Sequence, residues 1–85
     1  MVKTLYHYIK VYPDKYIQNQ NITTDNSFWG HRVYVGNDVT DLKPIGNVTI
    51  TQGTTEIKAG KFINIQHGFE IKKGAALKMD IGPAY

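Results

Sequence analysis

The sequence predicts an all-β fold: a short β-solenoid-like stack of glycine-cornered strands with an N-terminal capping strand. The alternative is a small antiparallel β-sandwich. Three observations carry the prediction. Thr occurs eight times, Gly eight, Asn six and Tyr six, against only four Ala; Thr and Tyr suit a pleated half-buried surface, and Gly and Asn suit tight turns. Apolar residues alternate with a period of two, and no window repeats them at helical spacing over three turns. Glycines stand at positions 46, 53, 60, 68, 74 and 82, with one short alternating segment in each gap.

A chain of 85 residues holds one domain. At this size it buries only about 60–65% of its unfolded surface, so its stability is marginal without a staple. It contains no cysteine, which excludes disulfides and thiolate metal sites. Apolar runs of three or four residues are too short for a transmembrane helix, and the first residues lack the apolar stretch of a signal peptide. The net charge of +3, with Arg32 the single arginine, is too mild to argue for nucleic acid. The expectation is no nucleic-acid partner and no membrane insertion.

Within the single β domain of residues 1–85, three stretches follow in order. Residues 1–16 form the N-terminal strand or cap: Leu5, His7, Ile9 and Val11 share one face, Tyr6, Tyr8, Lys10 and Tyr12 the other, and Pro13-Asp14 interrupts the strand as a turn. Residues 17–46 are rich in Asn, Asp, Thr and Gly and read as loops and short strands around Ile22, Phe28-Trp29, Val33-Tyr34-Val35 and Val39. Residues 47–85 are the regular tract. There Val48, Ile50, Ile57, Ile63, Ile65, Phe69, Ile71, Leu77, Met79 and Ile81 point inward, with Thr49, Glu56, Lys58, Asn64, Glu70, Lys72, Lys78 and Asp80 outward.

An internal repeat sets the geometry. Val48 to Thr55 (VTITQGTT) aligns with Phe69 to Ala76 (FEIKKGAA) at an offset of 21, matching Val48 with Phe69, Ile50 with Ile71 and Gly53 with Gly74. Three faces of about seven residues make a coil of about 21, and successive coils stack at the ~4.8 Å strand spacing. The tract from Asn47 alone supplies fewer than two coils; VYVGNDVT, read as a coil carrying an inserted loop, supplies another. Open strand edges at the ends of such a stack attract other strands. A homo-oligomer, or a place within a longer chain, is therefore expected.

The chemistry-bearing residues form no catalytic set. Glu56 and Glu70 fall on outward positions, where solvation of the outer face explains them. His7, His31 and His67 lack metal-ligand spacing. No metal, no cofactor and no enzymatic activity are expected. A ligand site is nevertheless legible at Phe28 to Tyr34, where Trp29, His31, Arg32 and Tyr34 concentrate flat aromatic and planar polar groups beside Asp25 and Asn26. Sugar rings stack on such faces and their hydroxyls bond such groups, which makes a glycan the candidate ligand. The simpler explanation is that Phe28 and Trp29 plug an end of the core. Tyr6, Tyr8 and Tyr12 are candidates for an interface, tyrosine being enriched there, or for a cover over a core edge. Lys58, Lys61, Lys72, Lys73 and Lys78 form a basic outer face on which Lys58 and Lys78 are expected as neighbours. Such a row meets anionic ligands or, more often, blunts exposed strands.

From Ile17 onward the chain resembles a β-repeat tract of secreted and surface proteins of Bacteroidota. The resemblance rests on the order of Gln18-Asn19 and Gln20-Asn21, Gly36-Asn37-Asp38-Val39-Thr40, Gly46-Asn47-Val48-Thr49-Ile50, Ile57-Lys58-Ala59-Gly60, Ile63-Asn64-Ile65-Gln66-His67-Gly68-Phe69 and Gly74-Ala75-Ala76-Leu77. His67 stands where that pattern has proline. The resemblance implies a β-solenoid-like module appended to larger proteins, an extracellular or cell-surface location, and a structural, adhesive or anchoring role without catalytic residues.

Overall fold

The computed structural model describes residues 12–83 and Tyr85. The described residues form seven strands: β1 (Lys15–Ile17), β2 (Gln20–Ile22), β3 (Asn26–Val35), β4 (Val48–Ile50), β5 (Thr54–Ile65), β6 (Phe69–Ile71) and β7 (Ala76–Ile81). They build a four-stranded sheet in the order β1-β3-β5-β7 and a three-stranded sheet in the order β2-β4-β6. Every pairing is parallel. Consecutive strands alternate between the sheets and never pair with each other. A meander would pair them antiparallel through hairpins, so the sandwich alternative does not occur and the chain coils.

The registers resolve into three ladders per coil. Residues 15–17, 33–35 and 63–65 form one; residues 20–22, 48–50 and 69–71 form the second; residues 26–30, 55–59 and 77–81 form the third. The first and third share a sheet because β3 and β5 run through the corner between them, where the register shifts between Gly30 and Arg32. Gly60, expected as a turn between segments, therefore lies inside a continuous β5.

The repeat alignment holds as far as its glycines. Val48 pairs with Phe69 and Ile50 with Ile71, and Gly53 and Gly74 take matching left-handed conformations with φ of 80° and 94°. Beyond them the alignment slips by one. Thr54 pairs with Ala76 rather than Ala75, because the Ala75 N–H bonds back to the Lys72 carbonyl (3.1 Å) in a turn that takes one more residue. The second coil carries the predicted insertion at residues 36–47, which stretches the offset from Gln20 to its partner Val48 to 28 positions.

Inward side chains stack between coils into one core of Ile17, Ile22, Phe28, Val33, Val35, Val48, Ile50, Ile57 and Ala59. Burying each large aliphatic side chain contributes about 1.5–3 kcal/mol. Their β-branched shapes fit the pleat. Thr55 also points into this core, and its hydroxyl finds no hydrogen-bond partner there.

The two ends of the stack differ. The inserted loop folds back over the first coil and is held by buried Gln18, whose Nε2 lies within bonding distance of the Thr40, Lys43 and Pro44 carbonyls (3.1, 3.0 and 3.1 Å). Gln18 Oε1 accepts the Val39 and Thr40 N–H groups, and Lys43 Nζ donates to the Tyr16 carbonyl on β1 (3.2 Å). Each such bond contributes about 0.5–1.5 kcal/mol. The expected cap over residues 1–16 lies mostly outside the described residues; among those described, the loop bonds the first coil at Gln18 and at the Tyr16 carbonyl, while its own Leu42 and Ile45 stay exposed. At the other end the alternation is as expected but the burial is not achieved. Ile65, Ile71, Met79 and Ile81 are 40%, 40%, 53% and 56% exposed, although they sit in register on Val35, Ile50, Ile57 and Ala59, which are at most 1% exposed. The third coil is the last described layer, so its inward side chains have a neighbour on one side only.

Candidate ligand groove and aromatic face

Strand alternation decides which residues reach the surface. On β3, Phe28 and Gly30 face inward and Trp29 outward. The corner after Gly30 changes the phase, so Val33 and Val35 face inward and Arg32 and Tyr34 outward. Phe28 is thus a core residue, whereas Trp29 is 44% exposed and plugs nothing. Tyr12 stacks on Trp29 with ring centroids 6.5 Å apart at 25°, and on Tyr85 at 6.5 Å and 26°. The Tyr12 N–H donates to the Tyr85 carbonyl (3.3 Å), which fixes this aromatic row against the corner.

Beside Trp29 lies an open groove of about 620 Å³ lined by Asp25, Asn26, Ser27, Trp29, Thr54, Glu56 and Lys78. Register assembles it: Ser27, Glu56 and Lys78 stand side by side on β3, β5 and β7. The Ser27 hydroxyl donates to Glu56 Oε1 (3.4 Å), and Asp25 Oδ1 accepts the Thr54 N–H (2.8 Å). A further recess of about 290 Å³ shares Glu56 and Lys78 and reaches Lys58 and Asp80. An aromatic face bordered by carboxylates, an amide, hydroxyls and an ammonium presents both donors and acceptors to a polyhydroxylated ligand.

Of the four residues singled out from sequence, only Trp29 borders this groove. Arg32 is a structural tie: its Nε and its backbone N–H donate to Asp14 Oδ1 (3.3 and 3.2 Å). His31 packs at the corner near Gly60, with Nδ1 buried and unpartnered. Tyr34 belongs to a second aromatic group, stacked on Tyr16 (5.2 Å, 10°) and edge-on to Phe62 (5.5 Å, 85°). Asp25 and Asn26 adjoin Trp29 in sequence; Ser27, Thr54, Glu56 and Lys78 complete the lining. The last three come from other strands, and their signal lay in ladder offsets that the inserted loop disguises. Of the tyrosines proposed for an interface, Tyr6 and Tyr8 lie outside the described residues, and Tyr12 is the half-exposed member of the Trp29 row.

The remaining charges do not converge. Glu56 and Glu70 stand on different sheets, and Glu70 pairs with Lys72 at the surface (3.3 Å). Lys58 and Lys78 are not register partners: Lys78 lies beside Glu56 and Lys58 beside Asp80, so opposite charges alternate where a basic row was expected. Among the described residues no group of three His, Asp or Glu side chains could hold a metal ion. No protein-family profile matches the chain, and neither curated proteins nor solved structures yield a match to it.

Proposed function

We propose that this chain is a non-catalytic structural and adhesive β-repeat module. It is a scaffold or spacer unit that joins further β-structure at its C-terminal end, in the secreted or cell-surface setting that the resemblance implies. What supports the reading is the asymmetry of the stack: a loop held by Gln18 over the first coil, and inward apolar side chains uncovered on the last. Exposed parallel edges of this kind accept strands. The test adds a further layer. Gly82 follows Ile81 as Gly60 follows Ala59, and its N–H bonds to the Ala59 carbonyl (3.0 Å). Repeating residues 61–81 after Gly82 should seat a fourth coil and raise Tm by about 5–10 °C. No gain in Tm, with the added residues unstructured by circular dichroism, overturns the reading.

A second reading has its own observation, the groove beside Trp29. It is carbohydrate binding, with the sugar ring on the indole and its hydroxyls on Asp25, Asn26 and Glu56. A glycan array probed with the native chain, Trp29→Ala and Glu56→Gln should show hits that both substitutions weaken at least tenfold. Absence of hits, or hits indifferent to Trp29→Ala, removes it.

A further inference from the structure

We propose that the open end is completed by a second copy of this chain, tail to tail. The two β7 strands pair antiparallel about a two-fold axis at Met79. The inference rests on the reading above, since it uses the same end, and it names the occupant.

Three observations select this arrangement. First, the first coil offers the uncovered end little apolar surface for head-to-tail stacking. Ile17, Ile22 and Phe28 of the first coil are already buried, and Lys43 of the inserted loop occupies a carbonyl of β1. A second last coil, with Ile65, Ile71, Met79 and Ile81 exposed in the same way, offers the apolar surface that the first coil does not. Second, β7 pairs with β5 alone among the described strands, leaving the backbone groups of its other edge for a new partner. Past Ile81 the chain turns away: the Tyr85 N–H bonds back to the Gly82 carbonyl (3.3 Å), and Tyr85 lies against Gly60.

Third, the β7 sequence Ala76-Leu77-Lys78-Met79-Asp80-Ile81 accepts one antiparallel register with itself. Directly opposed residues point to the same face of a sheet. A two-fold between two residues would set an inward side chain opposite an outward one and throw the two cores to opposite faces. Centring on Lys78 or Asp80 places like charges directly opposite. Centring on Ala76, Leu77 or Ile81 leaves half or more of the strand beyond the paired region. Centring on Met79 sets Met79 against the partner's Met79 and Leu77 against the partner's Ile81, all on the inner face. On the outer face it sets Lys78 against the partner's Asp80, twice by symmetry. Charge complementarity and apolar burial agree on this single register.

The chain has no cysteine, so one introduced thiol reports the register cleanly. Sedimentation of the native chain should show a concentration-dependent dimer. Met79→Lys, which opposes two ammonium groups at the axis, should weaken association at least tenfold while keeping the far-ultraviolet circular dichroism. Under mild oxidation Met79→Cys should give a disulfide-linked dimer. Ile81→Cys should not, because the two thiols would lie roughly 14 Å apart along the strands, beyond disulfide reach. A native chain that stays monomeric at millimolar concentration overturns the proposal, as does equal cross-linking at positions 79 and 81. If the added fourth coil stabilises the chain while the native protein remains monomeric, the tail-to-tail pairing falls and the docking end stands. If the coil adds nothing and the disulfide pattern also fails, both fall.

Discussion

Two glycines separate what backbone conformation costs from what packing costs. Gly53 and Gly74 occupy equivalent corners with nearly equal positive φ, so a side chain at either strains the backbone by about 1–2 kcal/mol. Their surroundings differ. A Cβ at Gly53 would stand 2.7 Å from the Asp25 backbone nitrogen and 2.8 Å from the Thr24 carbonyl carbon, whereas one at Gly74 meets nothing within 4 Å. Gly53 lies against a coil beneath it, and backbone atoms there do not yield as a flexible side chain would. Gly74→Ala should therefore destabilise by the conformational strain alone, about 1–2 kcal/mol. Gly53→Ala should cost at least about 2 kcal/mol more, because the Thr24–Asp25 corner and its bond to Thr54 must shift. Urea denaturation of both variants measures the difference. Equal losses would mean that the corners do not stack as their registers indicate.

At the scale of strands, the sequence was most legible where local and long-range signals coincide. The alternation of Val48, Ile50 and Ile57 and the pairing of FEI on VTI were readable because a period of two and a short repeat offset act within the same residues. The register slip at Ala75 was not readable: one residue more in a turn leaves the alternation on both sides intact, and only the hydrogen bond to Lys72 reveals it. The same limit governed the site. Trp29 and its neighbours Asp25 and Asn26 were legible as a cluster, but His31, Arg32 and Tyr34 were grouped with them by proximity along the chain. The corner at Gly30 changes the phase of β3 and sends Tyr34 to a separate aromatic stack, while Glu56 and Lys78 arrive from strands whose offsets the 36–47 loop distorts. Gln18 was visible as part of a polar run, yet nothing local marks it as the anchor of a loop more than twenty residues away. Its buried amide makes sense only once the coil brings the loop back over it.

Across the whole molecule, stability is distributed by the number of neighbours each coil has. In a stacked array a layer gains from its own turns and from the interfaces above and below it. The middle coil has both interfaces; the last coil has one, and its Met79 and Ile81 gain only part of the burial that Ile57 and Ala59 receive. Local opening should therefore begin at β6 and β7 and leave β3 and the adjoining half of β5 until global unfolding. Native-state hydrogen exchange on the native chain, diluted until it is monomeric, should show β7 amides exchanging at least tenfold faster than those of β3, a gap of about 1.4 kcal/mol or more in opening free energy. The Gln18-anchored loop adds hydrogen bonds to the first coil, so the gradient should run one way, from that end to the open one. Uniform protection through all three coils would mean that the stack opens as one unit. The exposed side chains of β6 and β7 would then mark no weak layer, and this end would gain no more than the other from receiving another strand.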